Sequence, residues 1–446
     1  MTRAVIVDAV RSPSGRGKPG GQLSHLHSAD LLGRMLAELV HRNDLDPALV
    51  DDVLGGCVTQ AGSQSVNVTR SALLAAGFPV QVPGTTIDRQ CGSSQQAVAF
   101  AAQGVIAGVY DVAIACGVEM MSAQPIGSAT LGLDPYGRGV AARFPQGLVG
   151  QGISAELVAA RWNIGRRELD EYAARSHRLA ATAARSLSRF GSALASMPQE
   201  LVAAGSRPEP RAGSRAGSIE PAHGLDRTAP RSASGPRPDL GAPDRARRDP
   251  LVPLGGIRTD ETLRPGTTVE GLAELAPAFR SEEMSARFPE IDWRVTAGNS
   301  SPLTDAASAV LIMSERRALS LGLVPRARFH AFSVTGSDPI EMLTGILPAT
   351  RMVLERGRLA LQDLDAIEVN EAFASVPLAW LREFDVDPDL LNPRGGAIAL
   401  GHALGSSGTR LLGTLLTTLE QTGGRYGLQT MCEGGGMANA LVIERL

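Results

Sequence analysis

The sequence predicts an α/β protein in which helices cover a sheet on both faces. Short continuous apolar runs of Val, Ile and Ala end at Gly, Pro or charged residues, and segments of helical apolar spacing lie between them. At 446 residues the chain exceeds one simple core, so two or three structural units are expected.

Ala4 to Ala9 reads as a buried first strand, bounded by Arg11-Ser12-Pro13 and a Gly/Pro loop. Ser28 to His41 has helical spacing, with Ser28 as its N-cap. A strand at Asp52 to Gly55 and a helix over Ser65 to Ala76 follow. An apolar, strand-like run from Val80 to Ile87 then gives way to a small-residue helix from Ser93 to Ile106. Asp111 to Gly117 is another apolar strand, and Cys116 within it belongs to the core.

From Ser122 to Phe144 the pattern breaks into Gly, Pro and polar residues, and helical character returns at Ser154 to Arg161 and Arg167 to Ala184. This is the place for a sub-domain that leaves the sheet and covers something. Within it, 206–250 is crowded with Pro, Arg, Ser and Gly and nearly empty of large apolar residues, which predicts a disordered or loosely held insert. Val295 to Ser301 is a loop leading into Ala306 to Met313, read as helix start or strand. Strands at Ala327 to Val334, Ala366 to Val369 and Ala438 to Glu444 then alternate with helices at Ala349 to Arg356, Ser375 to Glu383 and Ser407 to Leu419. Two successive α/β halves would put a site where they meet.

Composition excludes several classes. A net charge of -3 gives no electrostatic case for nucleic acid or an anionic membrane. The four cysteines, Cys57, Cys91, Cys116 and Cys432, are far apart with no C-x-x-C pair, which argues against a metal site or a disulfide framework and for reduced thiols in a cytoplasmic setting. The N-terminal apolar run is broken too early for a secretory signal, and no run of about 18 apolar residues predicts a membrane span.

Four stretches carry the chemistry. Cys91 stands where a strand stops and a helix begins, at the positive end of a helix dipole, a position that lowers a thiol pKa. Downstream, Asn370-Glu371-Ala372-Phe373, Gly401-His402-Ala403-Leu404-Gly405 and Cys432-Glu433-Gly434-Gly435-Gly436 each set a reactive side chain among small residues, where backbone approaches a ligand closely and N–H groups are free to meet an oxygen. Singly, each has an ordinary structural explanation: a buried thiol, a satisfied histidine, a turn asparagine.

Together they resemble the thiolase family, the acetyl-CoA acyltransferases, over the chain from Arg3 to Leu446 apart from the insert. The resemblance implies a five-layer αβαβα fold of two similar halves, 1–318 and 324–446, with a covering sub-domain over about 123–303. It implies Cys91 as nucleophile, His402 as its base, Cys432 as acid/base, Asn370 and Gly434 as oxyanion supports, and Ser301 in the Thr296–Ser301 loop against the coenzyme A pantetheine arm. No bound cofactor or metal is implied; coenzyme A is a co-substrate. The reaction would be thiolytic cleavage of a 3-ketoacyl-CoA to acetyl-CoA and a shortened acyl-CoA through an acyl-Cys91 intermediate. The runs around Cys91 and Cys432 are similar to actinobacterial thiolases of lipid and steroid degradation, which points to a bulky or long acyl chain. Small-molecule substrates and a homodimer or homotetramer are the partners expected.

The chain departs from the family pattern at Ala403 (usually proline), Pro302 (commonly glycine), Asp88 (frequently asparagine) and Gln151-Gly152-Ile153, where Met-Gly is frequent. The competing readings are a biosynthetic acetoacetyl-CoA thiolase, a decarboxylating condensing enzyme, which would lack the second cysteine, and a non-catalytic lipid-binding protein, which would not need the Cys/His/Cys set.

Overall fold

The computed structural model describes residues 2–191 and 250–446. The predicted loose insert at 206–250 lies, apart from Pro250, outside the described residues.

Among the described residues, ten strands form one mixed sheet: β1 (Ala4–Arg11), β2 (Gly15–Arg16), β3 (Asp52–Gly56), β4 (Gly84–Ile87), β5 (Val112–Met120), β6 (Thr304–Ser314), β7 (Ala327–Gly336), β8 (Leu364–Val369), β9 (Tyr426–Glu433) and β10 (Met437–Arg445). Their order is β4-β3-β5-β6-β1-β7-β10-β9-β8, with β2 beside β6. The halves join through a narrow seam in which only Val5 and Ile6 of β1 pair with β7. β6 reaches its place between β1 and β5 only after the chain has built the cover, so the first half is completed by residues 304–314.

Alternation along the strands sorts side chains between two cores. On β5, Val112, Ile114, Cys116 and Val118 face one way, against α1 (Ser28–Arg42) and α2 (Val68–Ala75). Ala113 and Ala115 face the other way, against α3 (Ser93–Ile106). The helices that follow are α4 (Gly137–Arg143), α5 (Gln151–Arg161), α6 (Arg166–Gly191), α7 (Val269–Ala273) and α8 (Glu282–Arg287) in the cover, then α9 (Glu315–Ser320), α10 (Ile346–Gly357), α11 (Ser375–Phe384), α12 (Ala397–Leu400) and α13 (Ser407–Thr422).

The central core joins the halves. Ala97, Ala101 and Ala102 of α3 and Leu412, Leu415 and Leu416 of α13 pack with Ile6, Val310 and Ile312 from one half and Phe329, Leu441 and Ile443 from the other. Alanine on α3 is what lets it come close to sheet and helix at once. A third core lies under α10 and α11, where α5 and α6 of the cover also dock. The layers are therefore helix, strand, helix pair α3/α13, strand, helix.

Three local expectations were corrected or completed, and one open reading was decided. The run from Val80 is strand only from Gly84, because Pro83 has no N–H to give a ladder and Val80 is exposed. Helix α1 is capped by His27 Nδ1, which accepts from the Ala29 N–H at 3.2 Å, while Ser28 Oγ instead donates to the Ser63 carbonyl. Of the two readings left open for Ala306 to Met313, strand is the one found, and it extends over Thr304–Ser314. Strand β9 escaped notice because Gln429, Thr430 and Glu433 interrupt its apolar pattern, yet all are buried and Gln429 donates to Gln95 Oε1 at 2.8 Å across the central layer.

Candidate active site

The corner that carries Cys91 is built by its own side chains. Asp88 Oδ1 accepts from the Gln90 N–H at 2.7 Å, and Ser93 Oγ donates to the Gln90 carbonyl at 2.6 Å while accepting from the Arg89 N–H at 2.9 Å. Gln90 is held at φ 50, a conformation that costs a non-glycine residue energy and recurs at functional sites. An Asx turn needs only the side-chain oxygen, so Asp88 serves as well as asparagine.

Cys91 is buried, and burial pushes its thiol up to about 12. Gln151 Nε2, from the first turn of α5, donates to Cys91 Sγ at 3.8 Å and works the other way, while the charges of Glu433 and Glu119 add to the rise. This corrects the expectation drawn from the helix dipole. Removing the thiol from water outweighs the dipole, so the resting group is a thiol that needs a base.

His402 is buried and pushed down to about 3, first by desolvation and then by the Arg410 charge, so it is neutral. Its tautomer follows from its neighbours. Ser407 Oγ donates to the Ala403 carbonyl at 2.9 Å, so it receives the Nδ1 proton of His402 at 2.6 Å. Nε2 is then a bare lone pair, 3.3 Å from the Asn370 Nδ2 that donates to it. The imidazole is set up to take a proton at Nε2.

Ala403, in place of proline, is buried and its carbonyl anchors Ser407, so the loop keeps its shape. Pro302 supplies a carbonyl to Thr304 Oγ1 at 2.7 Å, and that hydroxyl accepts from the His402 N–H at 3.0 Å. Ser301 is tied through its N–H to the Ala372 carbonyl at 3.0 Å, which binds the 296–301 loop to the Asn370 stretch.

Cys432 is the last residue but one of β9 and is buried, its thiol raised well above the usual range by desolvation and by the charge of Cys91 beside it. The turn after it sits on the Cys91 corner: a Cβ on Gly92 would fall 2.0 Å from Glu433 Oε1, and one on Gly434 would fall 2.8 Å from Gln90 Oε1. Asn439 of β10 fastens the contact, donating to the Gly92 carbonyl at 3.1 Å. Met121 and Leu404 pack with Cys91 in one small apolar cluster, which brings the His402 loop to the same corner.

Sequence reasoning missed the residues that hold these pieces. Glu119, wholly buried on β5, accepts from Val58 N, Thr59 N, Gln64 Nε2 and Gly405 N at 2.9 to 3.0 Å and so clamps the His402 loop to the first half. Glu371 accepts from Tyr172 Oη, Ser176 Oγ, Asn392 Nδ2 and Ile398 N at 2.7 to 3.1 Å, fixing α6 of the cover to the Asn370 stretch. Gln151 and Ser407 complete the set. A short motif does not reveal which distant donors a buried carboxylate will gather.

With this geometry in hand, similarity decides the family. The N-terminal thiolase domain model matches residues 4–194 and 253–316, and the C-terminal thiolase domain model matches 323–445. The chain belongs to the thiolase family. This thiolase is 40% identical to a steroid 3-ketoacyl-CoA thiolase, FadA6, of Mycobacterium tuberculosis, over 100% of this chain and 95% of that one. It is 37% identical to a 3-ketoacyl-CoA thiolase of Vibrio cholerae, with 100% of both chains covered. Among solved structures, the acetyl-CoA acetyltransferase of Bacillus anthracis superposes with a TM-score of 0.76 at 34% identity, covering 100% of this thiolase and 99% of that chain. Among the described residues no cluster of His, Cys, Asp and Glu would hold a metal ion, and no helix is long and apolar enough to cross a membrane.

Proposed function

We propose that this thiolase cleaves 3-ketoacyl-CoA with coenzyme A to give acetyl-CoA and a shortened acyl-CoA, and that Cys91 carries the acyl group between the two half-reactions. The seating of the Cys432 turn on the Cys91 corner, with the His402 imidazole held on the adjoining loop between Ser407 and Asn370, is the observation that carries this reading. His402 takes the Cys91 proton, the thiolate attacks the 3-keto carbon, and the bond between carbons two and three breaks. Cys432 gives the departing acetyl-CoA enolate its proton and later removes one from the incoming coenzyme A thiol.

The two oxyanions need donors, each worth about 3 kcal/mol by precedent. Protonated His402 is one, with a water held by Asn370, whose Oδ1 has no protein partner among the described residues. The backbone N–H groups of Cys91 and Gly434 form the other. Ser301 lies against the pantetheine arm of coenzyme A, which is a substrate and not a resident cofactor.

The degradative direction and a bulky acyl chain of the steroid kind are favoured by the name of the 40%-identical relative. We further read the chain as two units, 1–318 and 324–446, with the cover over 123–303. The outer edge of β4, which ends the sheet, supports pairing with a second copy into a homodimer or a tetramer built from it, acting in the cytoplasm.

The test is a pair of variants assayed on acetoacetyl-CoA, a long-chain and a steroidal 3-ketoacyl-CoA. Cys91→Ala should release no acetyl-CoA from any of them, and retained turnover would end the proposal. Cys432→Ser should still acylate Cys91 from an acyl-CoA but lose thiolysis by about a hundredfold or more.

A further inference from the structure

Glu433 is a buried carboxyl at the centre of the site for which the thiolysis scheme has no use. It is fully buried, and neither carboxyl oxygen has a hydrogen-bond partner among the described residues. It opposes Met437 across the β9–β10 pair, so Asn439, two residues further on, projects from the same face. Both side chains meet at Gly92: a Cβ there would lie 2.0 Å from Glu433 Oε1 and 2.9 Å from Asn439 Nδ2. Asn439 spends its N–H on the Gly92 carbonyl, and its own Oδ1 is also without a partner. The one donor that Asn439 turns to this glycine is spent on the Gly92 carbonyl, which leaves the Glu433 carboxyl beside Gly92 with no donor among the described residues.

A carboxylate in that place would be a buried charge with no hydrogen bond, a costly state that a proton removes. The charged groups around it are Arg89, which favours ionisation, and Asp88, which opposes it; both stand on the nucleophile corner. The thiols Cys91 and Cys432 also feel its charge, and each is disfavoured as a thiolate by a negative Glu433. An oxyanion held by the N–H groups of Cys91 and Gly434 would meet the same repulsion.

We propose that Glu433 is a positioning residue of the Cys91 centre: its carboxyl stays protonated while the enzyme works, and its ionisation suppresses both thiolates. The carboxyl proton leaves to solvent, and no bond to substrate is made. Burial raises Glu433 to about 8, so the change falls just above neutrality. Gly92 is required because the carboxyl occupies the space a side chain would fill.

This inference rests on Cys91 being the nucleophile, but its test does not need thiolysis. The rate of iodoacetamide alkylation at Cys91, located by mass spectrometry, is followed from about pH 6 to about 10 on the full chain. For the wild type the rise with pH should break near the ionisation of Glu433. Glu433→Gln should remove the break and react about tenfold faster above it, the effect of one pKa unit on a thiol. Asp88→Asn should move the break to lower pH, and Arg89→Gln should move it higher, because the first removes a repelling charge and the second an attracting one. A Glu433→Gln curve that overlays the wild type overturns the proposal. Should that variant fail to fold, the two corner variants decide alone, since a break that neither displaces overturns it equally. Absence of 3-ketoacyl-CoA turnover would strike the proposed function and leave this result standing.

Discussion

At the scale of single residues, the site is a neutral thiol and a neutral imidazole held ready by their neighbours. Ser407 fixes the tautomer, so Ser407→Ala should lower kcat/KM by about tenfold with little change in KM, as expected when a base is less often in its working form. Gln151 donates to the Cys91 sulfur, the one side chain that does so among the described residues, and it stands where the family pattern commonly has methionine. Gln151→Met should therefore raise the Cys91 pKa further and slow its alkylation at pH 7 by about threefold or more, read in the same iodoacetamide assay. An unchanged rate would mean that the contact at 3.8 Å carries no weight.

Among the elements, two buried carboxylates do what no helix or strand could do alone. Glu119 joins β5 to the loop that presents His402, and Glu371 joins α6 of the cover to the stretch that presents Asn370. Glu371→Ala would leave Tyr172, Ser176, Asn392 and the Ile398 N–H without their acceptor, at a cost of about 3 kcal/mol or more. Hydrogen exchange in α6 should accelerate in that variant well before the sheet loosens; protection in α6 equal to the wild type would contradict the anchoring role. Gly405 shows the same dependence on close approach, since a Cβ there would fall 2.7 Å from the Gly56 and Val118 carbonyls. Glycine is needed where the His402 loop crosses the backbone of the first half.

For the whole molecule, burial of ionisable groups sets the pH range of stability. Glu368 and Glu433 are each raised to about 8, so between the carboxylate range and pH 8 the unfolded chain gives up protons that the folded chain keeps. Their contribution is fully present below the unfolded pKa and is lost as pH rises through about 8. His402 and His177 are lowered to about 3 and about 4, so their contribution is present above the unfolded pKa and is lost as pH falls. The denaturation midpoint should accordingly decline from about pH 6.5 to about 8, and Glu433→Gln should flatten part of that decline. A midpoint rising over that interval would show that these carboxyls are not protonated in the fold.

The sequence by itself determined the alternation of strands and helices and the α/β class, and it marked out the four glycine-flanked stretches proposed to carry chemistry, because apolar periodicity and reactive residues among glycines are local properties of the chain. Only the tertiary structure decided the protonation states and the supports. The thiol of Cys91 is raised because the corner is buried beneath the cover and the second half, which a helix-start position cannot reveal. Glu119, Glu371, Ser407 and Gln151 became legible once distant donors and acceptors were in contact. Burial turns on what lies opposite a residue, and that is fixed by packing between segments hundreds of positions apart.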